Sequence, residues 1–196
     1  MANKRYDHAS STLKQRFKEN QVRKGKVLLV AMAIASLLAL SSVKTFADGN
    51  VVWEGWSQAE RNRRILDYAW QDLGKNVGLN CKQWVQSKVL PLASQQHVVL
   101  PANSSPDYTW ADDPHQHAIP MSMPIESAQP GNLVQMHLKS TNQPHTAIVY
   151  AINSSAVTFI ESNWFQDSSP NTVHVRTIGI SDFKASVTGY TVYPIH

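Results

Sequence analysis

Cys81 is the sole cysteine among 196 residues. It can enter neither an intramolecular disulfide nor a cysteine-based zinc site, so a metal would have to be held by histidine and carboxylate. A lone thiol can, however, act as a nucleophile. Asn80 is a good helix cap, and Cys81, Trp84, Val85 and Val89 fall on one helical stripe that Pro91 is expected to end, so the cysteine opens a helix. The first turn of a helix offers unpaired amide protons and a partial positive charge. Both favour thiolate over thiol, and thiolate is the reactive form.

A thiolate attacking an amide needs a proton donor for the departing amine, and histidine is the usual one. The chain has eight histidines. His8 lies near the amino terminus, His196 is the last residue, and His97, His115, His117, His137 and His174 fall in loops or on strands with no evident partner. His145 differs, because it follows Gln143-Pro144 and opens the strand-like run His145–Tyr150, at the end of a rigid element. In the run Val157–Asn163, period-two alternation places Val157, Phe159, Glu161 and Asn163 on one face. A carboxylate continuing an apolar row is costly unless paired, so Glu161 is expected to have a partner such as the His145 imidazole.

These residues need elements to hold them. Residues 57–74 read as an amphipathic helix, with Ser57 and Glu60 fitting a capping box, Ile65, Ala69 and Leu73 at spacing four, and Gly74 as a stop. Seven prolines between 91 and 130 predict irregular structure draped over a core. After Pro130-Gly131 come β-branched runs at 132–138, 145–152, 156–162, 172–178 and 187–193, separated by turn residues. Helices first and an antiparallel meander afterwards predict an α+β fold.

Taken in order, these motifs resemble those of the CHAP family, the cysteine- and histidine-dependent amidohydrolases/peptidases related to NlpC-type cell-wall peptidases. The resemblance runs from about 57 to 194 and is carried by Cys81 opening a helix with an aromatic three positions on, Pro130-Gly131-Asn132-Leu133-Val134-Gln135, His145–Val149, and Glu161-Ser-Asn163-Trp164. It implies a papain-like fold with N-terminal helices packed on a C-terminal antiparallel sheet. It also implies Cys81 as nucleophile, His145 as general base and acid, Glu161 and Asn163 as the polar residues orienting the imidazole, and Trp164 and Trp84 at the substrate. The implied substrate is peptidoglycan, cut between the sugar's lactyl group and the first alanine or within the peptide, with no cofactor or metal and a monomeric enzyme. Asn132 departs from the family, which commonly has Asp after Pro-Gly. Lys82 beside the nucleophile is also unusual and places positive charge near the thiolate.

The formal charge of +4 is unevenly distributed. Residues 1–47 carry nine Lys/Arg against two acidic residues, while 48–196 carry nine against twelve, so the folded part is net acidic and has no general attraction for nucleic acid. Residues 1–26 read as a basic cytoplasmic leader, 27–47 as a signal peptide or signal anchor with its apolar run at 27–43, 48–56 as a linker and 57–196 as the catalytic domain. Thr45-Phe46-Ala47 suits cleavage before Asp48, whereas the long leader suits an uncleaved anchor. In both cases the basic residues keep the amino terminus in the cytoplasm and send the domain to the periplasm or the exterior. A membrane contact is expected only through an uncleaved anchor.

Two other readings use the same residues. An amine rather than water resolving the acyl-enzyme makes the protein a thiol acyltransferase, of transpeptidase or transglutaminase type. A non-catalytic cell-wall-binding module instead uses Trp53, Trp56, Trp110 and Trp164 to stack on sugars. The Asp112-Asp113-Pro-His115-Gln-His117 cluster reads as a solvated polar turn rather than a metal site.

Overall fold

The computed structural model describes residues 53–100, 110, 115–163 and 170–196, all within one compact unit, Asn50–His196. The leader, the apolar run and Trp164 lie outside the described residues.

The protein is α+β. Five strands, β1 (Leu133–Leu138), β2 (Gln143–Ile152), β3 (Ala156–Ser162), β4 (Val173–Gly179) and β5 (Val187–Tyr193), form one antiparallel sheet in the order β4-β3-β2-β1-β5. Helix α1 (Gln58–Gln71) begins at Ser57, whose hydroxyl accepts the Glu60 N–H at 3.3 Å. It buries Ile65 and Ala69 among Leu133, Ile148, Ile160, Val173 and Tyr193, which form one face of the sheet. The opposite face carries Val134, Met136, Val157, Phe159 and Val192, packed with Ile180 and Phe183.

Three expectations need correction. The meander holds for β1 to β4, but β5 returns to the far side and pairs with β1. A short helix, α4 (Ile180–Ser186), lies between β4 and β5. Its seven residues bury only Ile180 and Phe183, too few for a periodicity to register. Nor does the helix that Cys81 opens stop at Pro91. Helix α2 (Cys81–Trp84) continues through a π-helical turn, Val85–Val89, into α3 (Leu90–Ala93). The Leu90 N–H bonds the Val85 carbonyl five residues back, and Pro91, which has no N–H to contribute, falls in the first turn of α3, directly after this wider turn.

At Gly131 (φ +91°) the chain passes so close to α1 that a Cβ would lie 2.7 Å from the Asn62 Cα. The amide of Asn132 donates to the Gln129 carbonyl, and its side-chain oxygen accepts the Gln129 N–H at 2.8 Å, so this turn delivers the chain into β1. In the described part of the Pro-rich region, Met121 and Ala118 make isolated bridges to Val192 and Ile195.

Candidate active site

The start of α2 is fixed before any chemistry begins. Asn80 Oδ1 accepts the Gln83 N–H at 2.9 Å, and the Gln83 side chain reaches back to the Asn80 N–H. Trp84, Val85 and Val89 are sunk in the core. Helix α2 packs on β2 and β3, whose paired register runs from Ile152 and Val157 to Ile148 and Ile160. Just beyond that pairing stand His145 on β2 and Glu161 on β3. The Ser162 hydroxyl donates to the Leu79 carbonyl at 3.0 Å and ties the end of β3 to the segment leading into α2.

The three side chains meet there. The Cys81 thiol hydrogen-bonds the His145 ring and also lies against the backbone of Thr146 and Lys82. His145 Nε2 is 2.8 Å from Glu161 Oε2. Cys81, His145 and Glu161 are all buried. The strand β4 closes the back of the site: Arg176 donates from Nε to Glu161 Oε1 at 2.5 Å and from Nη2 to Oε2 at 3.3 Å, and His174 Nε2 lies 3.6 Å from Oε1. The register explains the convergence, because Glu161 pairs with His174 and Phe159 with Arg176, and side chains two apart on a strand share a face.

Burial alone would push the Cys81 thiol up, but the hydrogen bond from His145, the imidazolium charge and the backbone contacts together bring it below its ordinary value. For His145 burial disfavours the charged ring, yet the thiolate and the Glu161 carboxylate outweigh it and raise the imidazole to about 9. Glu161 is held well below the usual carboxylate range against the cost of its burial, by the hydrogen bond from His145, the neighbouring His174 ring and the charges of His145 and Arg176. Between the two titrations the pair stands as thiolate and imidazolium, which is a nucleophile with its own proton donor. Lys82 Nζ lies 5.4 Å above the Trp110 ring. Burial lowers its tendency to carry a proton, and the Cys81 charge partly restores it.

Other sequence-based expectations fare differently. Asn163 was expected to extend the row of Glu161, but β3 ends at Ser162 and Asn163 turns into the left-handed region (φ 59°). Its Oδ1 accepts the Asn171 N–H at 3.3 Å, a contact that links the end of β3 to the residues just before β4. Trp84 was expected at the substrate, yet it is fully buried and its indole N–H donates to Asp72 Oδ2 at 3.0 Å. A residue three positions after the first one of a helix so packed points into the core. Trp164 lies outside the described residues. Trp53 and Trp110 are core residues with no face to offer a sugar, and Trp56 lies beneath the Arg64 guanidinium at 4.1 Å.

The rings of His115 and His117 are 5.5 Å apart, whereas Asp112 and Asp113 lie outside the described residues. Among the described residues no group of three His, Cys, Asp or Glu side chains is arranged so that it could hold a metal ion. Sequence reasoning missed His174 and Arg176. The available signal was two basic residues at spacing two on the strand following the one that carries a buried acid.

No family model matches the sequence, and neither does any curated protein. Among the solved structures similar to this chain are the crystal structure of Ly7917, at 15% identity and a TM-score of 0.49, and Ly7917 with the hydrolyzing product of MDP, at 16% and 0.47. Each comparison covers 68% of this chain, and the chain spans 62% and 63% of those two.

Proposed function

We propose that this protein is an exported cysteine hydrolase, of papain-like architecture, that cleaves amide bonds in peptidoglycan. The observation that carries the chemistry is the continuous contact from the Cys81 thiol through the His145 ring to the buried Glu161 carboxylate. The choice of substrate rests on the order of the sequence motifs. The bond is either the lactyl–alanine amide or a peptide bond of the stem. Export to the periplasm or exterior follows from the basic leader and the apolar run.

In the reaction, the Cys81 thiolate adds to the amide carbonyl and forms a C–S bond. The electron pair moves onto the carbonyl oxygen, which backbone amides at the start of α2 stabilise. As the oxyanion collapses, the C–N bond breaks and the imidazolium of His145 gives its proton to the leaving amine. The thioester and a neutral imidazole remain. Water then attacks while His145 takes its proton, the C–S bond breaks, and the carboxylic acid leaves with thiolate and imidazolium restored. Throughout, Glu161 holds the ring through Nε2 and stabilises its charged form.

The test is clearing of a peptidoglycan-containing gel by the full chain. Cys81→Ala and His145→Ala are expected to abolish clearing while keeping a cooperative thermal melt. Clearing by a folded Cys81→Ala protein overturns the mechanism. Mass spectrometry of the released fragments assigns the bond, and an amine adduct in place of the free acid identifies an acyltransferase.

A further inference from the structure

Glu161 does more than face an imidazole. It is fully buried, and its two oxygens are shared among His145 from β2 and His174 and Arg176 from β4. Arg176 sits along the β3 side of the sheet, with its guanidinium 5.4 Å from the Phe159 ring, and its side chain is mostly buried. It hydrogen-bonds both oxygens of Glu161, so the carboxylate is held by a fork while Oε2 points at His145.

We propose that Arg176 is a positioning residue: it completes a buried row of four groups, Cys81, His145, Glu161 and Arg176, that aligns Glu161 on the imidazole and balances the thiolate–imidazolium state of the site. This rests on the hydrolase reading above and deepens it. In the reactive state the row holds thiolate, imidazolium, carboxylate and guanidinium, two negative charges and two positive. Without the guanidinium those groups carry one uncompensated negative charge in a place nearly closed to water. The least costly relief is a proton on the weaker acid of the two anions, the thiolate. Arg176 therefore acts on the sulfur through Glu161 and His145, without touching substrate. Among the described residues, the titratable groups around the row are His145 on β2, Glu161 on β3, His174 on β4, and Cys81 and Lys82 on α2. All except Glu161 stay constant across the variants below.

The chain has one cysteine, so the rate of alkylation by iodoacetamide reports Cys81 alone. It is measured against pH on the full chain for wild type, Arg176→Lys, Arg176→Met, Glu161→Gln and the Glu161→Gln/Arg176→Met pair, each checked for a cooperative melt. Arg176→Met is expected to alkylate at least about tenfold more slowly near pH 6, a shift of the acid limb by roughly one unit or more. Arg176→Lys, which keeps the charge, is expected to stay within about threefold of wild type. In the Glu161→Gln background Arg176→Met adds less than about twofold, because the carboxylate that transmits its effect is gone. If Arg176→Met does not fold, Arg176→Gln takes its place with the same expectation.

A wild-type acid limb in the folded uncharged variant, equal losses in the Lys and Met variants, or a full Arg176→Met loss in the Glu161→Gln background overturns the proposal. These results leave the hydrolase reading standing. An ordinary, slow thiol in the wild type itself sinks the hydrolase reading, and the role of Arg176 falls with it.

Discussion

Replacing Glu161 by Gln keeps the shape of the side chain and removes its charge. The carboxylate is fully buried and bonded to His145 at 2.8 Å and to Arg176 at 2.5 and 3.3 Å, so the substitution leaves a guanidinium facing a neutral amide. Breaking a buried ion pair by removing one partner costs about 3–5 kcal/mol, which lowers the melting temperature of a domain this size by roughly 6–20 °C. The loss depends on pH with a definite sign. His145 is raised from 6.5 to about 9, so its share of the stability is fully present below 6.5 and disappears as pH rises through about 9. Glu161 is depressed from 4.5, so its share is fully present above 4.5 and is lost as pH falls through its lower, folded value. The penalty of Glu161→Gln is therefore largest between 4.5 and 6.5 and shrinks as pH rises from 6.5 through about 9. Thermal melts across pH measure it, and the alkaline limb of the activity profile should move from about 9 towards 6.5. A melting temperature within about 2 °C of wild type at pH near 5.5, with the alkaline limb unmoved, would refute the coupling between Glu161 and His145.

Gly131→Ala sets a Cβ 2.7 Å from the Asn62 Cα at φ +91°. It is expected to lower stability by about 2–4 kcal/mol, read by denaturant unfolding, with an unchanged pH profile for any protein that remains folded. Trp84→Phe removes the N–H that bonds Asp72 at 3.0 Å. It should cost about 1–3 kcal/mol by the same measurement while leaving KM unchanged, because Trp84 is a core residue. A raised KM at full stability would restore Trp84 to the substrate site.

Much of the frame was legible because its signals are local. Short apolar runs set between turn residues mark the five strands, and the spacing of Ile65 and Ala69 marks α1. Cys81, His145 and Glu161 could be singled out because each is the wrong chemical type for its place: a thiol at a helix start, an imidazole at a strand start, a carboxylate in an apolar row. What was hidden depends on pairing between distant segments. That β5 crosses to β1 follows from no local pattern, and α4 is too short to declare itself. Asn163 fell outside the alternation because a left-handed turn ends the strand one residue early, a conformation Asn tolerates and whose choice is made by the bond to Asn171. Trp84 was misplaced because adjacency to a reactive residue in sequence is not adjacency to its substrate. Arg176 and His174 became meaningful only once the β3–β4 register set them opposite Glu161.

The place where β2 and β3 stop pairing, with the end of β3 tied to the segment before α2 by the Ser162–Leu79 bond, has a bearing on how such a protein can change. Its reactive groups stand on two strands and a helix that also carry the interior packing, so drift in their relative placement is limited by the stiffness of the sheet rather than by a mobile loop. Substitutions that retune the chemistry will therefore tend to register first as lost thermal tolerance, and variants selected for a new leaving group should acquire compensating changes on β4, at the side chains that hold Glu161.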